Sequence, residues 1–448
     1  DVGARSRPAH VRHLEPRRSV REQELTPTMR PHLIVAIAIS CALHAASSRA
    51  SEPVPWSEPG DLPVPADAAS VIVLHEDVAI ESGPVAGGRR RGSASAGVAL
   101  PFFAVKRGPG CNGRWFSIGP LAWVCQDRLA FSTEPPIGAV DPRMQQGGDG
   151  LPYRYFFVTR GGTSGYGQLS AVDQTAPDQE LEQGFAVAVV EQRRHDGETY
   201  GRSHHGLWIP MRDLVPIKPK TFRGEEVSEG KLDFGWIVRD DAKALTKPVG
   251  GTRTSQRFAK FQRLRVLEEQ MVRKERYYKI EGDGWVHQRD LRKPSESPPP
   301  SEVSAGERWI DIELATQTVV AYEGTRPVYA TLASTGKGGQ GSPFATPKGV
   351  HRIWVKLVGS NMDNLEDDEA SNYYSIEDVP WVQYFSKGVG LHGAFWHNDF
   401  GHVRSHGCVN LTPIDAQWFF GFTGPHLPAG WTAVLPTDLE PGTVVRVR

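Results

Sequence analysis

Ser405-His406-Gly407-Cys408-Val409-Asn410, with Leu391-His392-Gly393 upstream, places the one cysteine of the C-terminal third among histidines and a glycine. A free thiol has a pKa of about 8.5, so it needs a neighbouring base to be mostly thiolate at neutral pH. A Cys–His pair supplies that base and makes a nucleophile suited to acyl transfer. Glycine before the cysteine lets the backbone turn sharply and frees amide N–H groups to face a developing oxyanion. Cys408, His392, His406 and Gly407 are therefore the candidate catalytic residues.

Working outward, Thr412-Pro413-Ile414-Asp415 is a helix start: Thr412 can cap, Pro413 suits the first helical position, and Asp415 sits in the first turn. Ala416 to Phe420 then forms a short apolar helix ending at Gly421. Upstream, Trp309 to Val320 and Val328 to Leu332 alternate as strands joined by a turn at Glu323-Gly324, and Gly349 to Leu357 is another strand. Trp431 to Leu435 and Thr443 to Val447 are expected to close the sheet. The fold class is mainly β, with the nucleophile loop running into a short helix.

The spacing from His392 to Ser405, together with Ser405-His406-Gly407-Cys408, resembles the signature of the L,D-transpeptidase (YkuD-type) family, whose members remodel bacterial peptidoglycan. Trp309-Ile310-Asp311-Ile312 and Thr318-Val319-Val320-Ala321-Tyr322 look like the family's opening strand pair. Ser334-Thr335-Gly336-Lys337 and Thr346-Pro347-Lys348-Gly349 look like its turn segments. The resemblance implies that Cys408 is the nucleophile and His392 its paired histidine. It also implies that Ser405 and His406 shape the pocket and that Gly407 and Cys408 offer the oxyanion-hole amides. Asn410 stands where many members have Arg and others Asn, and Gly393 follows the histidine as in relatives.

The implied chemistry attacks the carbonyl of the third residue in a tetrapeptide stem, releases the terminal D-Ala, and passes the acyl group to an amine of another stem. Water as acceptor gives an L,D-carboxypeptidase, and a protein amine gives wall attachment. A non-catalytic wall-binding protein is the remaining alternative. The mechanism requires no cofactor. A zinc site built from His392, His397, His402, His406 and Cys408 is a rival, but the spacing matches no standard zinc pattern. Trp396 reads as pocket rim or packing residue, alongside Phe395, His397 and Asp399. The segment between Leu357 and Trp381, with Glu366-Asp367-Asp368-Glu369, Tyr373 and Tyr374, reads as a lid or as a solvated acidic loop. Ser405, Asn410, Gly393, Trp396 and Tyr374 are the expected substrate-side residues.

A chain of 448 residues suggests two to four domains, and a net charge of -1 argues against a nucleic-acid binder. Met29-Arg30-Pro31-His32, the apolar run Leu33 to Leu43, and Ser48-Arg49-Ala50 read as a secretory signal peptide at 29–50, too short for a stable membrane span. Residues 1–28 read as a disordered or non-native extension and 51–67 as a Pro-rich linker. Ile39-Ser40-Cys41 is a weak lipoprotein-type match. With Cys41 removed, Cys111, Cys125 and Cys408 remain: one disulfide across a hairpin and one free thiol, in an exported periplasmic or wall-associated protein whose partners are peptidoglycan stem peptides.

The middle of the chain repeats. Trp123, Trp208 and Trp285 each precede a Leu by six residues (Leu129, Leu214, Leu291), with an apolar residue directly after the Trp. Short alternating strands precede each copy, as in 184–190 and 276–280, and Ser82-Gly83-Pro84 matches Thr246-Lys247-Pro248. The pattern resembles bacterial SH3-like barrels, placed at 68–130, 150–216 and 230–292. Each Trp is expected to fill a barrel core rather than stack on a ligand. Lys293 to Ala305 reads as an extended linker before a catalytic domain at 307–448.

Overall fold

A computed structural model describes residues 64–145, 148–218, 220–282, 284–365 and 374–448, all within one compact unit, Val54–Arg448. The expected signal segment with Cys41, the extension before it, most of the 51–67 linker, the Glu366–Glu369 acids and Tyr373 lie outside the described residues. The protein is mainly β. Among the described residues no helix is long and apolar enough to cross a membrane.

The C-terminal part is built from β1 (Arg308–Glu313), β2 (Thr318–Glu323), β3 (Arg326–Leu332), β4 (Gly349–Arg352), β5 (Val355–Asp363), β6 (Ser375–Ser386), β7 (Val389–Gly393), β8 (Val409–Leu411), α1 (Pro413–Phe422), β9 (Trp431–Val434) and β10 (Val444–Val447). The stretch read as one strand from Trp309 to Val320 is two, because the chain turns at 314–317 with Gln317 at φ 56°. Likewise Gly349 to Leu357 divides into β4 and the start of β5. One sheet runs Glu225–Glu226, β3, β2, β1, β10, β4. A second contains β9, β5, β6, β7 and β8. The two C-terminal strands therefore do not close one sheet: β10 joins the first and β9 the second.

The sheets enclose a core of Ile310, Ile312, Val319, Tyr329 and Val445 facing Trp381, Leu391, Val409 and Leu411, with Phe419 and Phe420 of α1. Thr412 Oγ1 accepts from the Asp415 amide and Pro413 opens the helix, which runs one residue past Gly421. Its far end is finished by a side chain from another strand. Buried Lys356 donates to Phe420 O at 2.6 Å and Thr423 O at 2.8 Å, filling carbonyls the helix leaves unpaired.

Three strand modules precede this part, at 70–132, 154–216 and 234–292. In each, the repeated Trp pairs with the end of an earlier strand: Trp123 with Glu81, Trp208 with Tyr166, Trp285 with Leu245. The core-filling expectation needs correction. The residue after the Trp (Val124, Ile209, Val286) is fully buried, while Trp123 and Trp285 are only half-buried on the opposite face; Trp208 alone is buried. Side chains alternate along a strand, so a buried neighbour turns the Trp outward. Cys111 and Cys125 are joined by a disulfide in the first module.

The modules are not strung on free linkers. Strand Arg90–Ala94 pairs with β9, and strand Ala186–His195 pairs in parallel with β6. Edge strands carry unpaired backbone groups, and joining sheets satisfies them. The segment after Leu291–Arg292 is extended as expected, yet it is pinned. Arg446 donates to Pro298 O (2.8 Å) and Ser297 Oγ (2.6 Å), and Arg448 to Ser295 Oγ (2.7 Å).

Candidate active site

β7 and β8 lie side by side in parallel, with Leu391 beside Val409, His392 beside Asn410, and Gly393 beside Leu411. Leu391, Val409 and Leu411 face the core. By alternation His392 and Asn410 share the other face, and Cys408 stands directly before β8. The loop leading into β8 is held by the Ser334-Thr335-Gly336-Lys337 segment. Ser334 and Asn410 exchange two backbone hydrogen bonds of 2.9 Å, Thr335 O accepts from the Arg404 and Ser405 amides, and Lys337 N–H donates to Ser405 O at 3.0 Å. Buried Gln317 grips Thr335 from behind, donating to its Oγ1 at 2.6 Å and accepting from its amide at 2.8 Å.

Thr346 completes the clamp. Its hydroxyl donates to Gly407 O at 2.6 Å and accepts from Gly336 N–H at 2.9 Å. Gly407 takes φ 130°, a conformation side-chain-bearing residues rarely adopt. Ser405 Oγ donates to Cys408 O and accepts from Gly407 N–H at 3.1 Å. The Gly407 amide is thus hydrogen-bonded inside the loop rather than left free, as was expected, to face an oxyanion.

The electrostatics also differ from a preformed ion pair. Cys408 is half-buried, its Sγ 3.6 Å from Gly388 O. Burial pushes its thiol up, with the Gly390 amide pulling the other way. His392 is 2% exposed, and burial lowers it to about 4. Its Nδ1 lies 3.2 Å from Gly393 O, so Nδ1–H donates there and Nε2 carries the lone pair. Its ring stacks on Trp396 at 5.8 Å. With no carboxylate against either group among the described residues, the resting pair is a thiol and a neutral imidazole rather than thiolate and imidazolium.

Beside them, His397 Nδ1 accepts from the Asp399 amide at 3.2 Å, so its proton sits on Nε2, 3.0 Å from the Asn410 amide. Burial first, then the Arg404 charge, lowers His397 to about 3. Asn410 is buried, and its side-chain amide meets His397 there. His406 is exposed between the rings of Phe344 (4.9 Å) and Tyr374 (6.2 Å), a rim position. Burial, and next the charge of Cys408, raises the pKa of half-buried Tyr374.

Other expectations land elsewhere. Gly393 is buried: a Cβ there would meet Pro380 at 3.0 Å and Pro413 at 3.1 Å, so its bareness admits the helix start rather than a substrate. Phe395 is a core residue against Tyr155, not pocket rim. Trp396 packs on Phe395 and on His392 at once. Asp399 pairs with Arg404 at 2.7 Å. His402 lies near Arg292 and Lys260, which with burial lower it. The anchoring roles of Thr346, Gln317 and His397 were not visible in the sequence; Thr346 was marked only as part of a turn segment.

Residues 307–447 match the family model of the L,D-transpeptidase catalytic domain, YkuD. Among solved structures, the chain is similar to an L,D-transpeptidase (residues 123-326) from Xylanimonas cellulosilytica, 20% identical over 34% of this chain and 64% of that one, TM-score 0.23. It is also similar to the catalytic domain of the E. faecium L,D-transpeptidase, 24% identical over 32% of this chain and 98% of that one, TM-score 0.24. A third is the L,D-transpeptidase from Mycobacterium smegmatis, 15% identical over 58% of this chain and 99% of that one, TM-score 0.24. The chain spans 64%, 50% and 58% of three such solved chains, less than two thirds of each. No curated protein matches. The family match assigns the C-terminal part to the L,D-transpeptidase type of catalytic domain.

Proposed function

We propose that this chain is an exported, cysteine-dependent L,D-transpeptidase that links third residues of peptidoglycan stem peptides through a Cys408 thioester. One observation carries the reading: Cys408 directly precedes β8, which pairs in parallel with the β7 strand that holds His392, and its loop is clamped by Ser334–Lys337 and Thr346. His392 Nε2 takes the thiol proton as sulfur attacks the carbonyl of the stem's third residue, so no standing thiolate is needed. The negative charge on that oxygen faces the Cys408 amide. The carbon–nitrogen bond to D-Ala breaks as the imidazolium returns its proton to the leaving amine. A second stem's amine then attacks the thioester and releases the thiol. Asn410 holds His397 in place beside the site, and Tyr374 and His406 form the rim.

The strand modules fit small SH3-like wall-binding domains, with the half-buried Trp123 and Trp285 as stacking surfaces, and the segment at 29–50 fits an export signal. The test is incubation of the purified protein with disaccharide-tetrapeptide and mass spectrometry of the products. D-Ala release with a crosslinked dimer is expected, abolished in Cys408→Ala. Release without dimer assigns the carboxypeptidase instead, and neither release nor a thioester adduct from folded protein rejects an enzyme.

A further inference from the structure

We propose that His204, His205 and Asp378 form a binding site for a divalent transition metal of the zinc class, at the junction between the 154–216 module and the β5–β6 hairpin. The two histidines occupy the turn after strand Glu198–Ser203, while Asp378 lies in β6. His204 Nδ1 is 3.0 Å and His205 Nε2 3.3 Å from the same oxygen, Asp378 Oδ2. All three donor atoms lie within 4.8 Å of one another. Tetrahedral coordination with zinc–ligand bonds of about 2.0–2.1 Å sets neighbouring donor atoms about 3.3 Å apart. The two nitrogen–oxygen distances already have that spacing, and the two nitrogens lie within 4.8 Å of each other. The two rings are 75° apart with centroids at 5.5 Å, so their nitrogens converge rather than stack.

The surroundings fix these donors as a metal site requires. The Tyr153 hydroxyl lies 3.4 Å from His204 Nε2, the nitrogen a metal on Nδ1 leaves free, and its ring stacks on the imidazole at 4.6 Å. A ligating histidine commonly donates its second N–H to such an acceptor. Asn361 hydrogen-bonds His205 and also accepts from the Asp378 amide at 3.0 Å. The Tyr155 hydroxyl donates to Asp378 O at 2.6 Å. Asp378 holds φ 46°, and a Cβ on Gly359 would come within 2.9 Å of its Oδ1, so the glycine makes room for the carboxylate. His205 is 43% exposed at its side chain, which leaves one side of the cluster open to a water as fourth ligand.

A bound cation replaces the protons that otherwise bridge the imidazoles to the carboxylate, so affinity rises with pH. It would tie the module to the hairpin that carries Tyr374. The site is independent of the proposed chemistry at Cys408 and shares none of its residues.

The test uses the full chain, stripped with chelator, and ZnCl₂ as the calorimetric titrant. One equivalent binds to the wild type and equally to Cys408→Ala, and binding weakens as the pH is lowered. His204→Ala and His205→Gln each lose affinity by about 100-fold or more, at the upper end of what disturbing a histidine's supporting partner costs. Cobalt(II) gives a readout on the unmodified protein: visible ligand-field bands without the near-ultraviolet thiolate band. Absence of saturable binding, a thiolate band, loss of binding in Cys408→Ala, or binding untouched by both histidine substitutions overturns the proposal.

Discussion

Two clusters of histidines in this protein sit in opposite electrostatic states, and the difference comes from a single kind of neighbour. Around Cys408, His392 and His397 are buried against backbone, an amide and aromatic rings, and burial lowers them to about 4 and about 3. At the junction, Asp378 touches both His204 and His205, and that hydrogen bond pushes His205 up to about 9 while the carboxyl falls to about 2. Burial without a counter-charge makes a neutral imidazole able to receive a proton. Burial against a carboxylate makes a fixed cation that holds two elements together. The first suits chemistry and the second suits attachment.

The comparison breaks most visibly at the base. His392→Ala removes the imidazole of β7, and D-Ala release should fall by about 10²–10⁴-fold, the usual contribution of general acid–base catalysis. The same change leaves the far-ultraviolet circular dichroism unaltered. Full activity in this variant would mean that the thiol is activated by something other than His392. A linked measurement is alkylation of Cys408 by iodoacetamide. It should be slow at neutral pH and speed up toward alkaline pH, because burial raises the thiol. Fast alkylation with a plateau below neutrality would indicate a resident thiolate.

Next in size is the clamp. Thr346→Val keeps the shape but leaves buried Gly407 C=O and Gly336 N–H without their partner, costing about 1–3 kcal/mol for each group. The loss should appear in kcat more than in KM, since the loop carries the nucleophile. A variant with unchanged denaturant midpoint and kcat would show the loop held by the Ser334–Lys337 ladder alone.

What the sequence made legible was local. The Thr412–Pro413 helix start and most strands of the C-terminal part depend on neighbours within a few residues, and pattern reading finds such features. The contacts that tune the site are remote. Thr346 reaches Gly407, Lys356 reaches the end of α1, and His204 reaches Asp378 across unrelated strands. Nothing in composition or spacing announces which distant side chain will arrive. The repeat shows a subtler failure. Each Trp reads as core, but in two of the three copies strand alternation buries the residue after it and turns the Trp outward, while Trp208 stays buried.

Asp378→Asn tests the junction side. It removes the counter-charge but keeps the size, so His205 should return toward ordinary titration and the module should loosen from the hairpin. The expected cost at neutral pH is about 1–2 kcal/mol, discounted because the His205 side chain is well exposed. Hydrogen exchange should quicken at the Ala186–Ile376 strand pairing and stay unchanged in the β1–β2 hairpin. Equal acceleration in both places would mean that the cluster supports the whole unit rather than this junction.

The smallest effect, and the one that separates the clusters most cleanly, is the pH dependence of stability. An ordinary histidine titrates near about 6.5 when unfolded. His205 is raised to about 9, so its contribution is complete below about pH 6.5 and is lost as the pH climbs from there through 9. His392 and His397 are lowered, so the unfolded chain binds protons the folded one refuses. Their effect destabilises the fold as pH falls below about 6.5 toward 4 and 3. Glu377 is raised to about 7 by burial and adds a slope of the same sign as His205, over more acidic pH, which is why differences between variants are more telling than the wild-type curve. Subtracting the stability curve of His205→Gln from that of the wild type should leave a change confined to the window from about 6.5 to about 9. The same subtraction for His397→Gln should leave one confined to the acid side, with the opposite sign of slope. Two difference curves with the same sign would mean that the carboxylate is not what distinguishes these histidines.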